Sequence, residues 1–201
     1  MLADKHVHQF FGLPDELFTP RRPGSNVITK RDVRAITLAH LGLHAHTILW
    51  DIGSGTGSVA IEAAHLASAG HVYAIECDME AAAAIKDNCH HLHAPNVSVI
   101  AGRAPQVLHD LPDPTAVFIG GSGGALTAIL EVVMARLLPA GHLVANLATL
   151  EHLSEAVAYL RQATWELECT MVNIACTRHI LDMTRFAAMN PVFVLTAYAP
   201  A

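Results

Sequence analysis

Thr47-Ile48-Leu49-Trp50-Asp51-Ile52-Gly53-Ser54-Gly55-Thr56-Gly57 is the stretch that decides the fold. Apolar residues lead into an acid and then into glycines at every second position. Directly afterwards, residues 58–68 are alanine-rich with a helical apolar face, and Gly70 stands where a helix C-terminal glycine would. A buried strand that ends in glycines and passes straight into a helix is the βα turn of a parallel sheet. Glycines let the backbone turn sharply and approach a ligand where a Cβ would intrude. The same turn delivers that ligand to the positive N-terminus of the helix.

The pattern repeats on either side of this turn. Residues 29–38 form a helix with Thr29 expected as its N-cap and Asp32 three positions on. Strands are expected at 72–76, 97–101, 116–120 and 143–147, and helices at 79–89, 126–138 and 154–162. The end departs from the alternation: 166–174 and 191–198 are strand-like, with an irregular segment between them. The expected fold is α/β, a seven-stranded, mainly parallel sheet with helices on both faces and an antiparallel C-terminal hairpin edge. Residues 1–28, with Pro14, Pro20, Pro23 and Gly24, are expected as an irregular lead-in or linker before a domain spanning 29–201.

Composition narrows the function. The 201 residues are 52% hydrophobic and 15% charged, with a net charge of −6, which excludes a disordered polyelectrolyte. Residues 1–34 hold six bases and four acids, whereas the remainder is strongly acidic. A broad phosphate-reading face for nucleic acid is therefore not expected. The basic lead-in suits one anionic ligand. Cys77, Cys89, Cys169 and Cys176 show no C-x-x-C spacing, and no apolar stretch has signal-peptide or membrane-span character. A soluble, reduced, cytoplasmic protein without a membrane partner is expected. Fourteen histidines include His90-His91-x-His93 and the pair His40 and His44. No cysteine or carboxylate completes a tetrahedral set at standard spacing, so no metal is expected.

The ligand of the glycine turn follows from its neighbours. Glu76 ends the second strand nineteen residues after Gly57, where an acid can accept both hydroxyls of a ribose. That geometry serves a nicotinamide dinucleotide and S-adenosylmethionine alike. The G-x-G-x-G spacing departs from the dinucleotide G-x-G-x-x-G, and Asp51 suits an ammonium group that a pyrophosphate lacks. Both features, with the hairpin end, favour S-adenosylmethionine.

Several segments then occur in order: Gly12-Leu13-Pro14-Asp15-Glu16-Leu17-Phe18, Ile28-Thr29-Lys30 with Val33-Arg34-Ala35, the loop from Asp51 to Gly57, Phe118-Ile119-Gly120-Gly121-Ser122-Gly123-Gly124, and Asn190-Pro191-Val192. Together they resemble the precorrin methyltransferase/decarboxylase family of cobalamin biosynthesis, within the Rossmann-like class I methyltransferases. Its members act alone or as the C-terminal half of a bifunctional precorrin-6Y methyltransferase. The resemblance implies methyl transfer from S-adenosylmethionine to carbon 15 of a precorrin or cobalt-precorrin, leaving S-adenosyl-L-homocysteine, with decarboxylation of the acetate on carbon 12. It further implies a homo-tetramer, with a fused or separate companion methyltransferase acting at carbon 5.

By position, the resemblance places Thr29, Asp51, Gly53, Ser54, Gly55, Thr56, Gly57, Glu76, Ala104 and Gly120 at the cofactor. Many relatives have Gly-Asp-Ala where this chain has Gly102-Arg103-Ala104. An arginine accepts no bond from the adenine amino group, so Arg103 either stacks on the ring or faces solvent. A polycarboxylate macrocycle calls for cations and amide donors. Arg21, Arg22, Lys30, Arg34, Arg178 and Arg185 are the candidate cations, and Gly121, Ser122 and Gly123 the candidate amides. Asn146 follows the fifth strand at the ligand-binding edge and is the candidate catalytic residue, with Thr149 and Glu151 beyond it. The alternatives are a class I methyltransferase of another small molecule and a non-catalytic module that binds S-adenosylmethionine. The Asp/Asn-Pro-Pro-Tyr/Phe motif of base-methylating enzymes is missing after the fourth strand, where Gly120-Gly121-Ser122 stands.

Overall fold

In the computed structural model, which describes residues 10–19, 28–163 and 165–200, the elements run α1 (Arg31–His40), β1 (Ile48–Ile52), α2 (Ser58–Leu66), β2 (His71–Glu76), α3 (Met79–His91), β3 (Val97–Ala101), β4 (Ala116–Ile119), α4 (Leu126–Arg136), β5 (His142–Leu147), α5 (Leu150–Gln162), β6 (Glu166–Val172), β7 (Ala175–Ile180), β8 (Met183–Ala188) and β9 (Val192–Tyr198). Seven strands form one sheet in the order β3-β2-β1-β4-β5-β9-β6. β1 pairs in parallel with β2 and β4, and β2 with β3 and β4 with β5 continue the parallel run. β9 inserts antiparallel between β5 and β6.

The sheet separates two apolar layers, and the period-two alternation of its strands sorts residues between them. Trp50 and Ile52 of β1 and Val117 and Ile119 of β4 join Leu126, Ile129, Leu130 and Leu160 from α4 and α5. Leu49, Ala116 and Phe118 turn the other way, onto Val33 and Leu38 of α1 and Val59, Ala60 and Ala63 of α2. Full burial of each large side chain such as Trp50 or Phe118 contributes about 1.5–3 kcal/mol. β1 is the order-reversal point, with the chain winding one way to β2 and β3 and the other way to β4 and β5. Sheets of this kind open a ligand crevice at the carboxyl ends of the strands there.

The structure corrects three local expectations. Thr29 does not cap α1. Lys30 holds that position, and no side chain at the cap bonds to the helix. Asp15, in a short 3₁₀ turn at Asp15–Leu17, reaches across to accept the Arg31 amide at 3.0 Å. The segment expected as a lead-in or linker is, over residues 10–19, joined to the domain: Leu13 and Phe18 are buried with α1 and α2, and Glu62 accepts the Gly12 and Leu13 amides at 2.9 Å each. α5 begins at Leu150 and not at 154, because Thr149 caps it, accepting from the His152 amide, with Glu151 in its first turn.

The segment expected to be irregular is a second, two-stranded sheet, β7 with β8. Every residue of β7 and nearly all of β8 are exposed, so neither strand carries the apolar alternation that marks a strand packed on a core. Its turn is Leu181-Asp182, without the Asn-Gly or Asp-Gly pair that signals a tight hairpin.

Candidate functional site

The crevice lies where β1 and β4 end. After β1, Gly53 and Ser54 donate their amides to the Ile75 carbonyl at 2.9 and 3.1 Å, which folds the loop back over β2. After β4, Gly120 and Gly121 donate to the Ile52 carbonyl at 2.9 and 3.3 Å. The two glycine segments therefore touch. Gly53 adopts φ +73°, and a Cβ on it would run into the Gly121 carbonyl oxygen and stand 2.7 Å from the Gly121 nitrogen. Only glycine allows this approach.

Glu76 and Asp51 hold the loop from opposite sides. Glu76, 9% exposed, accepts the Gly55 amide at 3.0 Å through Oε2 and the Asp78 amide at 2.9 Å through Oε1. Each carboxylate oxygen has further lone-pair capacity, which suits a vicinal diol. Asp51 is fully buried. Its Oδ2 accepts from Ser54 Oγ at 2.6 Å and from the Ala60 amide at 3.0 Å. Ala60 lies in the first turn of α2, whose cap residue Gly57 offers no side chain, so Asp51 satisfies that amide from the strand. Asp51 Oδ1 and Thr56 Oγ1 are buried without a partner among the described residues.

Burial pushes the Asp51 carboxyl up from 3.8 to about 7 against the pull of the Ser54 and Ala60 bonds, with the charge of Glu76 adding to the rise. Between those values the folded protein retains a proton that the unfolded chain has lost. The Asp51 contribution to stability therefore falls as pH rises through that window and is level above it. Asp51→Asn is expected to flatten this part of the curve, over a span of up to about 4 kcal/mol. Thermal melts from pH 4 to pH 8 test it; parallel curves for the two proteins would exclude the buried acid as their source.

Three walls complete a cleft of about 290 Å³. Ile52, Ile75 and Ile129 give it an apolar floor. Gly102, Arg103 and Ala104, from the tail of β3, form one side, and Gly121, Ser122 and Gly123 the other. Cys77 stands at the rim. The amides of Ser122, Gly123 and Gly124 have no partner among the described residues, whereas those of Gly120 and Gly121 are spent on Ile52. The expectation that Gly121 offers its amide to a ligand is thereby corrected, and the Gly120 amide is spent in the same way: parallel pairing continues past β4 and consumes both. The site fits a nucleoside bearing a cationic tail. Its lining offers a glycine cradle and an apolar slot, and directly behind that lining stand Glu76, with spare acceptor capacity, and the buried, unpartnered Asp51 Oδ1.

The proposed cations divide. Arg34 is a second correction. It is fully buried, with Nε on Glu62 at 2.8 Å, Nη1 on Asp15 and the Thr29 carbonyl, and Nη2 on the Leu13 carbonyl. Its guanidinium is committed to the fold and meets no outside carboxylate. Lys30 pairs with Asp15 at 3.6 Å and lines a different hollow, about 520 Å³, beside Arg31, Cys176 and Met189. Arg178 and Arg185 lie directly opposite one another on β7 and β8. Arg21 and Arg22 fall outside the described residues. Thr29 is half-buried, with its carbonyl on Arg34. Asn146, also half-buried, donates Nδ2 to Thr37 Oγ1 at 2.9 Å. What sequence reasoning missed is Asp15 and Glu62, the acids that claim Arg34. Their separations of 19 and 28 residues follow no helical or strand spacing. Among the described residues no group of three or more His, Cys, Asp or Glu side chains could hold a metal ion, and no helix is long and apolar enough to cross a membrane.

Comparison with known proteins gives a consistent picture. A family described as precorrin methyltransferase domain matches residues 24–198. A probable cobalt-precorrin-6B C(15)-methyltransferase (decarboxylating) of Pyrobaculum calidifontis is 38% identical over 94% of this chain and 96% of its own. The Salmonella typhimurium cobalt-precorrin-6B C(15)-methyltransferase (decarboxylating) is 37% identical over 91% and 94%. The crystal structure of a precorrin-6Y C5,15-methyltransferase from Geobacter metallireducens superposes with a TM-score of 0.89 at 39% identity, covering 94% of this chain and 98% of that one.

Proposed function

The chain belongs to the precorrin methyltransferase family, and we propose that it methylates carbon 15 of a precorrin or cobalt-precorrin while removing the carbon-12 acetate carboxyl as carbon dioxide. The observation that carries this reading is the contact of Gly53 with Gly121 at the sheet's reversal point, with Glu76 bonded to Gly55 beside it. S-Adenosylmethionine bound in this cleft supplies an electrophilic methyl group. The chain's own residues bind and align. Glu76 accepts the ribose hydroxyls, the loop Gly53–Gly57 carries the ligand over the start of α2, and Asp51 Oδ1 is the buried acceptor for the cationic end. Ala104 meets the base, and Thr29 closes the site from the start of α1.

An electron-rich macrocycle carbon needs alignment more than acid–base help, and alignment alone is worth up to about 7–11 kcal/mol. Ser122 and Gly123 line this cleft with their amides unspent among the described residues, and such amides suit a carboxylate. Arg178 and Arg185 support a polycarboxylate substrate as well. Like charges placed directly opposite on a hairpin repel, and an anion between them relieves the repulsion. Asn146 keeps a second amide hydrogen after its bond to Thr37, which can meet a pyrrole or acetate oxygen. The proposed setting is cytoplasmic, as a homo-tetramer, beside a companion enzyme that methylates carbon 5.

Two measurements test the reading. Calorimetry is expected to show binding of S-adenosylhomocysteine and none of NAD; equal or preferred NAD binding overturns the cofactor assignment. Mass spectrometry after incubation with a precorrin-6B-type substrate and S-adenosylmethionine is expected to show one methyl gained and one carbon dioxide lost. Methylation confined to RNA or to an unrelated small molecule would overturn the substrate assignment.

A further inference from the structure

The tail of β3 carries a charged side chain that the reaction leaves unused. Arg103 is exposed, and its guanidinium has no hydrogen-bond or ion-pair partner among the described residues. It nevertheless has a defined position. Nη1 lies 3.3 Å from where a Cβ on Gly123 would stand, so the side chain spans the cleft mouth from the β3 tail to the loop after β4. Beneath it the slot is floored by Ile52, Ile75 and Ile129, all buried. The slot also runs from the ribose acceptor: Glu76 is the register partner of Ala101, and its carbonyl accepts the Gly102 amide at 2.9 Å. A nucleoside held by its ribose at Glu76 therefore extends its base along Gly102–Ala104, between an apolar floor and a planar cation.

We propose that Arg103 is the residue that secures the adenine of the cofactor, by laying its guanidinium over the ring face where an acidic residue would have gripped the amino edge. The proposal rests on the assignment of S-adenosylmethionine to this cleft. An apolar floor of three isoleucines suits one face of an aromatic ring, and the guanidinium at the β3 tail is placed to cover the other. A guanidinium stacks as a plane, which an ammonium does not reproduce. Gly123 adopts φ +57°, and a Cβ there would stand a tight 3.3 Å from Nη1, so glycine leaves the guanidinium room.

The test is calorimetric binding of S-adenosylhomocysteine and of 5′-methylthioadenosine, which keeps the base and ribose but lacks the amino-acid end, to wild type, Arg103→Ala and Arg103→Lys. Arg103→Ala is expected to weaken both ligands by roughly five- to thirtyfold, with Arg103→Lys recovering only part of the loss. Because Arg103 is exposed and unpaired, both variants should melt with the wild type. Equal affinities in all three proteins would overturn the proposal. So would a loss seen with S-adenosylhomocysteine but not with 5′-methylthioadenosine, which would put Arg103 on the amino-acid carboxylate. A raised KM for the precorrin with unchanged ligand affinity would place it on the substrate instead. If wild type binds neither ligand, the cofactor assignment itself fails, an outcome distinct from unchanged affinity in the variants.

Discussion

Arg34→Met is expected to destabilise the protein by about 3–5 kcal/mol, the usual consequence of removing one partner of a buried ion pair. Arg34 and Glu62 are both wholly buried, 2.8 Å apart. Without the guanidinium, Glu62 retains only the Gly12 and Leu13 amides, and the carbonyls of Leu13 and Thr29 lose their donor. The cation also lies over the Phe18 ring, 4.9 Å from its centre, so the 12–18 segment loses one of its anchors. Urea denaturation with a fitted m-value measures the loss. Arg34→Met combined with Glu62→Met removes the stranded charge and is expected to recover part of the stability, but not all, because the Gly12 and Leu13 amides are then left without an acceptor. A single-variant loss below about 1 kcal/mol, the range of exposed pairs, would contradict the burial on which this rests.

Gly53→Ala is expected to abolish cofactor binding in practice, with at least about a hundredfold loss of S-adenosylhomocysteine affinity, equivalent to about 2.8 kcal/mol. The new methyl group meets the backbone of Gly121, which no rotamer change can clear, and alanine at φ +73° adds about 1–2 kcal/mol of strain. The loops after β1 and β4 must part, and the cleft lies between them. Gly121→Ala is the control for the fold: a Cβ there meets nothing within 4 Å, and the melting temperature should hold close to the wild type. If Gly53→Ala binds S-adenosylhomocysteine as tightly as wild type, the contact between the two loops does not form the ligand cradle.

Much of this molecule is local in origin and was legible for that reason. The run from Thr47 to Gly57 carries its own strand, turn and helix start, because apolar burial, glycine freedom and helix onset depend on neighbours in sequence. Glu76 was legible because a strand of ordinary length brings its end to the same crevice. The glycine segments at the ends of β1 and β4 were recognisable as turns at the carboxyl edge of the sheet. Which of their amides remain free was not, because pairing of Gly120 and Gly121 with the Ile52 carbonyl is a relation between strands.

The hairpin of β7 and β8 escaped because it buries almost nothing, and the hydrophobic pattern records only what a chain buries. Arg34 departs from its sequence reading for the opposite reason. A cation near a basic lead-in suggests an anionic ligand, but its acids, Asp15 and Glu62, come from segments that only folding brings together.

By itself, then, the sequence determined the alternating strands and helices, the glycine turn with its flanking acids, and the family. Tertiary structure alone decided which charges are spent. Asp51 caps α2 from the strand and Arg34 staples the N-terminal segment, while Arg103, at the cleft mouth, has no partner among the described residues. The physical reason is that backbone preference and apolar periodicity are short-ranged along the chain. The partner of a charge is whatever the packed interior places within about 3 Å, at any separation in sequence.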